Sequence, residues 1–332
     1  MAVWESSPIP GPSRRGLERL RYTGRGRGGR VDDRRTQVIG GLLAVLQAVL
    51  YSTMGIFGKL LYATGMDSQQ VVILRFVCST VLLGAFMLVW RKEPLVSRQK
   101  TVYLQAVFYF ASAFLYFFAV ERLNAGITTV FFYLYPAMVA GINLIVFHER
   151  ISAAVAVALV LSIMGLVLIS GMATGQLSID PIGLAFALAS ALAFAIYTVL
   201  IQVTGRTEGS FTVTFTLSWT SLLASCVIFA PSVPALFHLN AYQVLIGCIM
   251  ALACTILPVV LYIQAIKRIG GTKTSLIGIS ETPSSLLLAF LILGETIAPI
   301  EGVGIVLIVV SVVAITIGPL LQGKGKREEA AD

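Results

Sequence analysis

Three ionisable residues of this 332-residue chain, Lys59, Arg75 and Glu281, stand inside long apolar stretches. A charge in hydrocarbon costs from about 3 kcal/mol on insertion scales upward, so each is a functional candidate by default. Glu281 is the sharpest, because it lies near the middle of its stretch and two residues before Pro283. Proline has no amide hydrogen and frees a carbonyl one turn back, which hydrocarbon tolerates only against protein or a water-filled cavity. Helical spacing puts Thr274, Gly278, Glu281 and Ser285 on one small, polar face. A carboxylate there can bind a substrate ammonium or carry a coupling proton; a hydrogen-bonded structural carboxyl is the other reading. Arg75, about two turns into its stretch, suits an anionic group or a loop contact. Lys59, at the end of its stretch, can snorkel to the interface.

Aromatic residues form the second constellation. Thr129, Tyr133, Pro136, Ala140 and Asn143 share a helical face, and so do Gln47, Tyr51, Met54 and Gly58. A tyrosine offers a polar tip and a π face, which suits an organic ligand that is part apolar and part zwitterionic. Packing and interfacial anchoring are the competing uses of any single one. The candidates for a binding cavity are Gln47, Tyr51, Tyr116, Tyr133, Tyr135, Tyr197, Tyr262 and Glu281, with Lys59, Arg75 and Glu281 as charge or coupling groups. Pro136 and Pro283 are the expected helix breaks. Cys78, Cys226, Cys248 and Cys254 lack CxxC spacing, and His148 and His238 lack any ligand pattern. With no Walker A pattern either, the expectation is no catalytic residue, no cofactor, no metal and no enzyme activity.

The elements that position these residues follow from composition. The chain is 57% hydrophobic and 12% charged with mean hydropathy +0.89, against roughly 25% charged in a soluble domain. Its apolar residues fall into stretches of about 20, the length a helix needs to cross a bilayer. Ten spans are expected, near 38–60, 68–90, 101–120, 125–147, 151–172, 182–203, 210–230, 242–265, 272–293 and 300–320. The connections are too short for a soluble domain.

Lys and Arg set the orientation. The first 37 residues hold nine arginines in a Gly, Pro and Ser-rich stretch that reads as a disordered basic tail, with no apolar core of a signal peptide. With that tail inside, 21 of the 24 basic residues fall on the cytoplasmic side. Both termini are therefore expected in the cytoplasm, with residues 321–332 as a short second tail. The RGRGGR run at 25–30 has the charge to touch RNA or anionic lipid; the preferred reading is a topology anchor with no specific partner, and no nucleic acid is expected.

An internal repeat appears when the chain is slid along itself. At a shift of 146, Leu115, Tyr116, Ala119, Arg122, Thr128, Glu149 and Ile151 meet Leu261, Tyr262, Ala265, Arg268, Thr274, Glu295 and Ile297. At 143, Ile39, Gly40, Ala44 and Ala48 meet Ile182, Gly183, Ala187 and Ala191. The first shift sets Tyr135 on Glu281, and the second sets Gln47, Tyr51 and Met54 on Ser190, Phe194 and Tyr197. Five spans per half make the second half enter the membrane inverted, as in many secondary transporters. Glu149 and Glu295 are read as complements to the start of the next helix, and Gly165, Gly302 and Gly304 as sites of close helix contact.

The stretch LYFFAVERLNAGITTVFFYLYPAMVAGINLIVFHERIS from Leu115 and its counterpart LYIQAIKRIGGTKTSLIGISETPSSLLLAFLILGETIA from Leu261 resemble the paired EamA repeats of the drug/metabolite transporter superfamily. The shared pattern is an aromatic-alanine helix end, a small-residue turn, a proline-broken helix and a glutamate before the fifth helix. One departure is Glu281-Thr282-Pro283, where glutamate often directly precedes proline. The resemblance implies an all-α membrane protein of ten helices, in two inverted five-helix repeats at 38–172 and 182–320 around a central cavity. It implies a permease for small organic metabolites working by alternating access in a bacterial inner membrane, with membrane lipid and a small-molecule substrate as its partners. Export of amino acids, aromatic and other neutral ones as in the YddG branch, is the substrate class it suggests. An integral membrane enzyme or a channel without carrier activity is the alternative. Import against export, proton coupling and oligomeric state stay open, and a monomer suffices.

Overall fold

The computed structural model describes residues 29–91, 93–123, 125–149, 151–170, 180–204, 208–294 and 296–328. Most of the basic tail, Lys92, Arg150, Arg206 and Glu295 lie outside these. Among the described residues, nine helices are long and apolar enough to cross a membrane, and a tenth apolar helix, Ala153–Ile169, has 17 residues. The chain is an all-helical membrane protein, and these ten elements are numbered in chain order as spans 1 to 10, with span 2 at Ser68–Arg91, span 5 at Ala153–Ile169, span 7 at Ser210–Ile228 and span 10 at Pro299–Thr316.

The packing respects the internal repeat. Span 3 (Lys100–Arg122) lies along span 6 (Pro181–Thr204), and span 1 (Arg35–Tyr62) lies in the same way along span 8 (Ala241–Ile269). Exchanging the halves turns one pair into the other. The pairs 2 with 7 and 5 with 10 map onto themselves, and 2 with 8 maps onto 7 with 3. Single residues repeat the rule. A Cβ on Gly40 would stand 2.5 Å from Ile269 and 3.0 Å from Arg268, and one on Gly183 2.8 Å from Leu123 and 2.9 Å from Arg122. Only glycine lets the start of spans 1 and 6 come so close to the end of spans 8 and 3.

Spans 5 and 10 meet backbone to backbone, since a Cβ on Gly165 would stand 2.7 Å from the Gly304 carbonyl oxygen and one on Gly304 2.6 Å from that of Gly165. Ser162 and Ser311 bridge the same seam at 2.7 Å. Gly302 differs from the expectation: it faces open space, because it is on the other side of the helix. Spans 2 and 7 are joined by Ser79 and Ser218 at 2.9 Å. Paired hydroxyls suit a lipid-bounded interface, where each would otherwise lack a partner.

Spans 4 and 9 are interrupted at repeat-related places. Span 4 is Ala125–Phe132 followed by Tyr135–Phe147, and span 9 is Gly271–Gly278 followed by Glu281–Leu293. Each second half carries its proline in the first turn, where no intrahelical donor is required. The carbonyl that Pro283 leaves free, that of Ile279, accepts instead from the Thr282 amide at 3.1 Å. Both spans end in a left-handed residue, His148 at φ 54° and Gly294 at φ 69°, which closes the last turn.

Span 1 carries a break that the sequence reading did not anticipate, between Gly29–Ser52 and Met54–Tyr62. Ser52 and Thr53 donate to the carbonyls of Val49 and Leu50 at 2.6 and 2.7 Å. Such back-bonding competes with the helical ladder and bends the helix. The capping of span 5 also corrects the reading of Glu149: Ser152 Oγ accepts from the Val155 amide, while Glu149 is exposed outside the helix.

Candidate functional site

A cavity of about 960 Å³ opens between the halves, within the size range of organic-ligand sites. Its walls hold Gln47, Tyr51, Tyr116, Tyr133, Tyr135, Tyr197, Tyr262 and Glu281, together with Arg75 and Lys59. The structure thus brings all ten of these sequence candidates to one space. Pro136 and Pro283 are buried behind it and act through the chain breaks ahead of them.

The broken helices decide which side chains arrive. In span 9, Glu281 and Ser285 line the cavity from the second half-helix. The single polar face expected from Thr274 to Ser285 is split by the break: Thr274 is buried below, and Gly278 sits against the Tyr135 hydroxyl, 3.0 Å from where a Cβ would stand. In span 4, Thr129 and Tyr133 reach the cavity, whereas Ala140 and Asn143 are buried toward the other end. Tyr133 and Glu281 thus line the same cavity from the two broken spans.

Aromatic rings make the floor. Phe194 is their centre, with centroids of Tyr135, Tyr197, Phe132 and Tyr262 at 4.7, 5.3, 5.5 and 6.0 Å. Tyr109 packs on Tyr197 at 5.2 Å. Hydroxyl bonds fix several of these rings: Tyr262 to Thr198 at 2.8 Å, Tyr116 to Thr129 at 2.9 Å, and Tyr135 donating to the Ser275 carbonyl at 3.2 Å. Gln47 Oε1 and the Tyr197 hydroxyl, both buried at the cavity wall, have no hydrogen-bond partner among the described residues. Sequence reasoning missed Tyr109 and gave Phe194 only as the repeat partner of Tyr51.

The cavity has one open end. Lys59, Tyr62, Gly126, Ser170 and Ala289 rim it at the ends of spans 1 and 5, the start of span 4 and the second half of span 9. The opposite end, at the start of span 1 and the end of span 10, is shut. There Val139, Leu276 and Ile277 pack as one apolar plug, and a polar knot lies beyond them. Asn143 Nδ2 donates to Thr272 Oγ1 at 2.9 Å and to Gln202 Oε1 at 3.4 Å. Gln202 Oε1 also accepts from the Gly271 amide at 2.9 Å. This latch ties span 4 of the first half to spans 6 and 9 of the second.

Residues 38–171 and 181–317 each match the EamA-like transporter family. The chain belongs to that family. It is a membrane transporter and not an enzyme, and the two matched regions agree with a duplicated architecture. An uncharacterized transporter of Clostridium kluyveri is 26% identical over 82% of this chain and 91% of its own length. The uncharacterized inner membrane transporter YicL of Salmonella typhimurium is 25% identical over 83% of this chain and 95% of its own. A protein of known crystal structure superposes with TM-score 0.69 at 17% identity, covering 83% of this chain and 95% of that one, which speaks for the shared fold. In this EamA transporter the cavity between the halves, with Lys59 and Glu281 on its wall, is the candidate site.

Proposed function

We propose that this EamA transporter moves amino acids, aromatic and other neutral ones, out across a bacterial inner membrane by alternating access. One observation carries the reading: a single cavity, open at one end and latched at the other, is lined by rings around one carboxylate. Glu281 would face the substrate ammonium, with Tyr133 lining the same cavity, and the ring cluster around Phe194 would take the side chain. Rings and hydroxyls together suit a solute that is apolar at one end and charged at the other.

Five spans in each half set the halves in opposite orientation, so the same packing can close either end in turn. Lys and Arg put the chain ends and the latch in the cytoplasm, which makes the described state outward-open. Release outward and reloading inward then alternate as the latch breaks and the rim closes.

Counterflow in proteoliposomes tests this. Labelled L-phenylalanine should exchange saturably and be displaced by other neutral amino acids. Absence of exchange for every amino acid tried would remove the substrate class.

A further inference from the structure

Arg75 is the charge that the proposed reading leaves unused. The residue is 6% exposed and lines the cavity from span 2. No carboxylate lies within ion-pair distance of it among the described residues; the ion pairs formed there are Arg91 with Glu93 and Arg122 with Asp180. Its partners are weak. One terminal nitrogen donates to Met54 Sδ at 3.3 Å, the guanidinium carbon sits 4.7 Å from the Phe76 ring centre, and Nε has no acceptor among the described residues.

A guanidinium presents five donors in a fixed fork that matches a carboxylate, and it does not lose its charge. Holding it buried with a thioether and a ring as its company is costly unless an anion completes it. The neighbouring wall leaves room for one. Gly55 and Gly58 of span 1 line the cavity with Arg75, and a Cβ on Gly55 would meet nothing within 4 Å. The break after Ser52 turns this glycine segment to the cavity.

We propose that Arg75 is the anion-binding residue of the cavity and takes the carboxylate of an organic solute. Glu281 lies on the same cavity wall system from span 9, so one solute can present its acid to one residue and its amine to the other. This deepens the transport reading above and rests on it for the amine side alone.

The test uses the purified full-length protein in detergent and compares three probes of similar shape: 3-phenylpropionate, its amide, and phenethylamine. The acid should raise the melting temperature at a concentration about tenfold or more below the amide, the scale of a charge-assisted hydrogen bond. Arg75→Met should erase that preference while leaving the response to phenethylamine, and Arg75→Lys should retain part of it. Equal response of the native protein to acid and amide overturns the proposal without any variant. So does an acid preference that survives in Arg75→Met, or stabilisation by sodium chloride equal to that by the acid. If the acid preference holds but no amino acid exchanges in proteoliposomes, Arg75 keeps its role and the amino-acid reading fails.

Discussion

The two ends of the cavity are built from repeat-related positions and do opposite things. At the closed end Asn143, Gln202 and Thr272 form the latch; the same shifts of 146 and 143 carry them to Ala289, Lys59 and Gly126 at the open rim. One end therefore has an amide pair and a hydroxyl where the other has a methyl, an ammonium and a glycine. On the proposed alternating-access reading, a duplicated scaffold would supply equal closure surfaces, and the side chains on them would bias which is closed. The latch consists of neutral hydrogen bonds, each with a net worth of about 1 kcal/mol, so it can hold a state and still release it.

The largest effect is expected where both ends share a part. Glu281→Gln should reduce counterflow by about tenfold or more, the loss of one charge-assisted contact, with surface expression unchanged; an undiminished rate would take Glu281 out of the pathway. Next, Asn143→Leu combined with Gln202→Leu should open the latched end. A cysteine placed at Thr198 should then react with a membrane-impermeant maleimide about tenfold faster from that side. An unaltered rate would mean that the apolar plug alone keeps the end shut.

A control on the frame carries a smaller effect. Gly304→Ala should destabilise the protein by about 1–3 kcal/mol through its clash with the Gly165 carbonyl, whereas Gly302→Ala should be neutral, as read by thermal melting. Equal melting of the two would deny the backbone seam. The smallest effect tests the comparison itself. Lys59→Gln with Ala289→Asn moves latch chemistry to the open rim, and labelling of a cysteine at Tyr133 from that side should fall about fivefold, the worth of one neutral bond. No change would show that the rim needs more than these two residues.

Much of the fold was legible in the sequence because a membrane demands long apolar runs, and their polar breaks lie close to the observed helix ends. The breaks of spans 4 and 9 were legible through Pro136 and Pro283, since proline acts on its own backbone. The kink at Thr53 was not, because Ser52 and Thr53 bend a helix only when their hydroxyls turn back to the carbonyls. At the site, periodicity names a face but not what the face meets. It joined Thr274 and Gly278 to Glu281, and the chain break separates them. Gln202 reads as an ordinary polar residue near a span end; its pairing with Asn143 depends on how the two halves approach. The shift that sets Lys59 on Gln202 was the one available signal for it.

The most direct test of an alternating cavity measures both ends in one preparation. In a cysteine-less background, spin labels at His148 and Lys267 report the latched end, and labels at Glu121 and Leu291 report the rim. Disrupting the latch with Asn143→Leu and Gln202→Leu should lengthen the first distance and shorten the second. Lengthening of the first with no change in the second would contradict the account, because the two ends would then move independently.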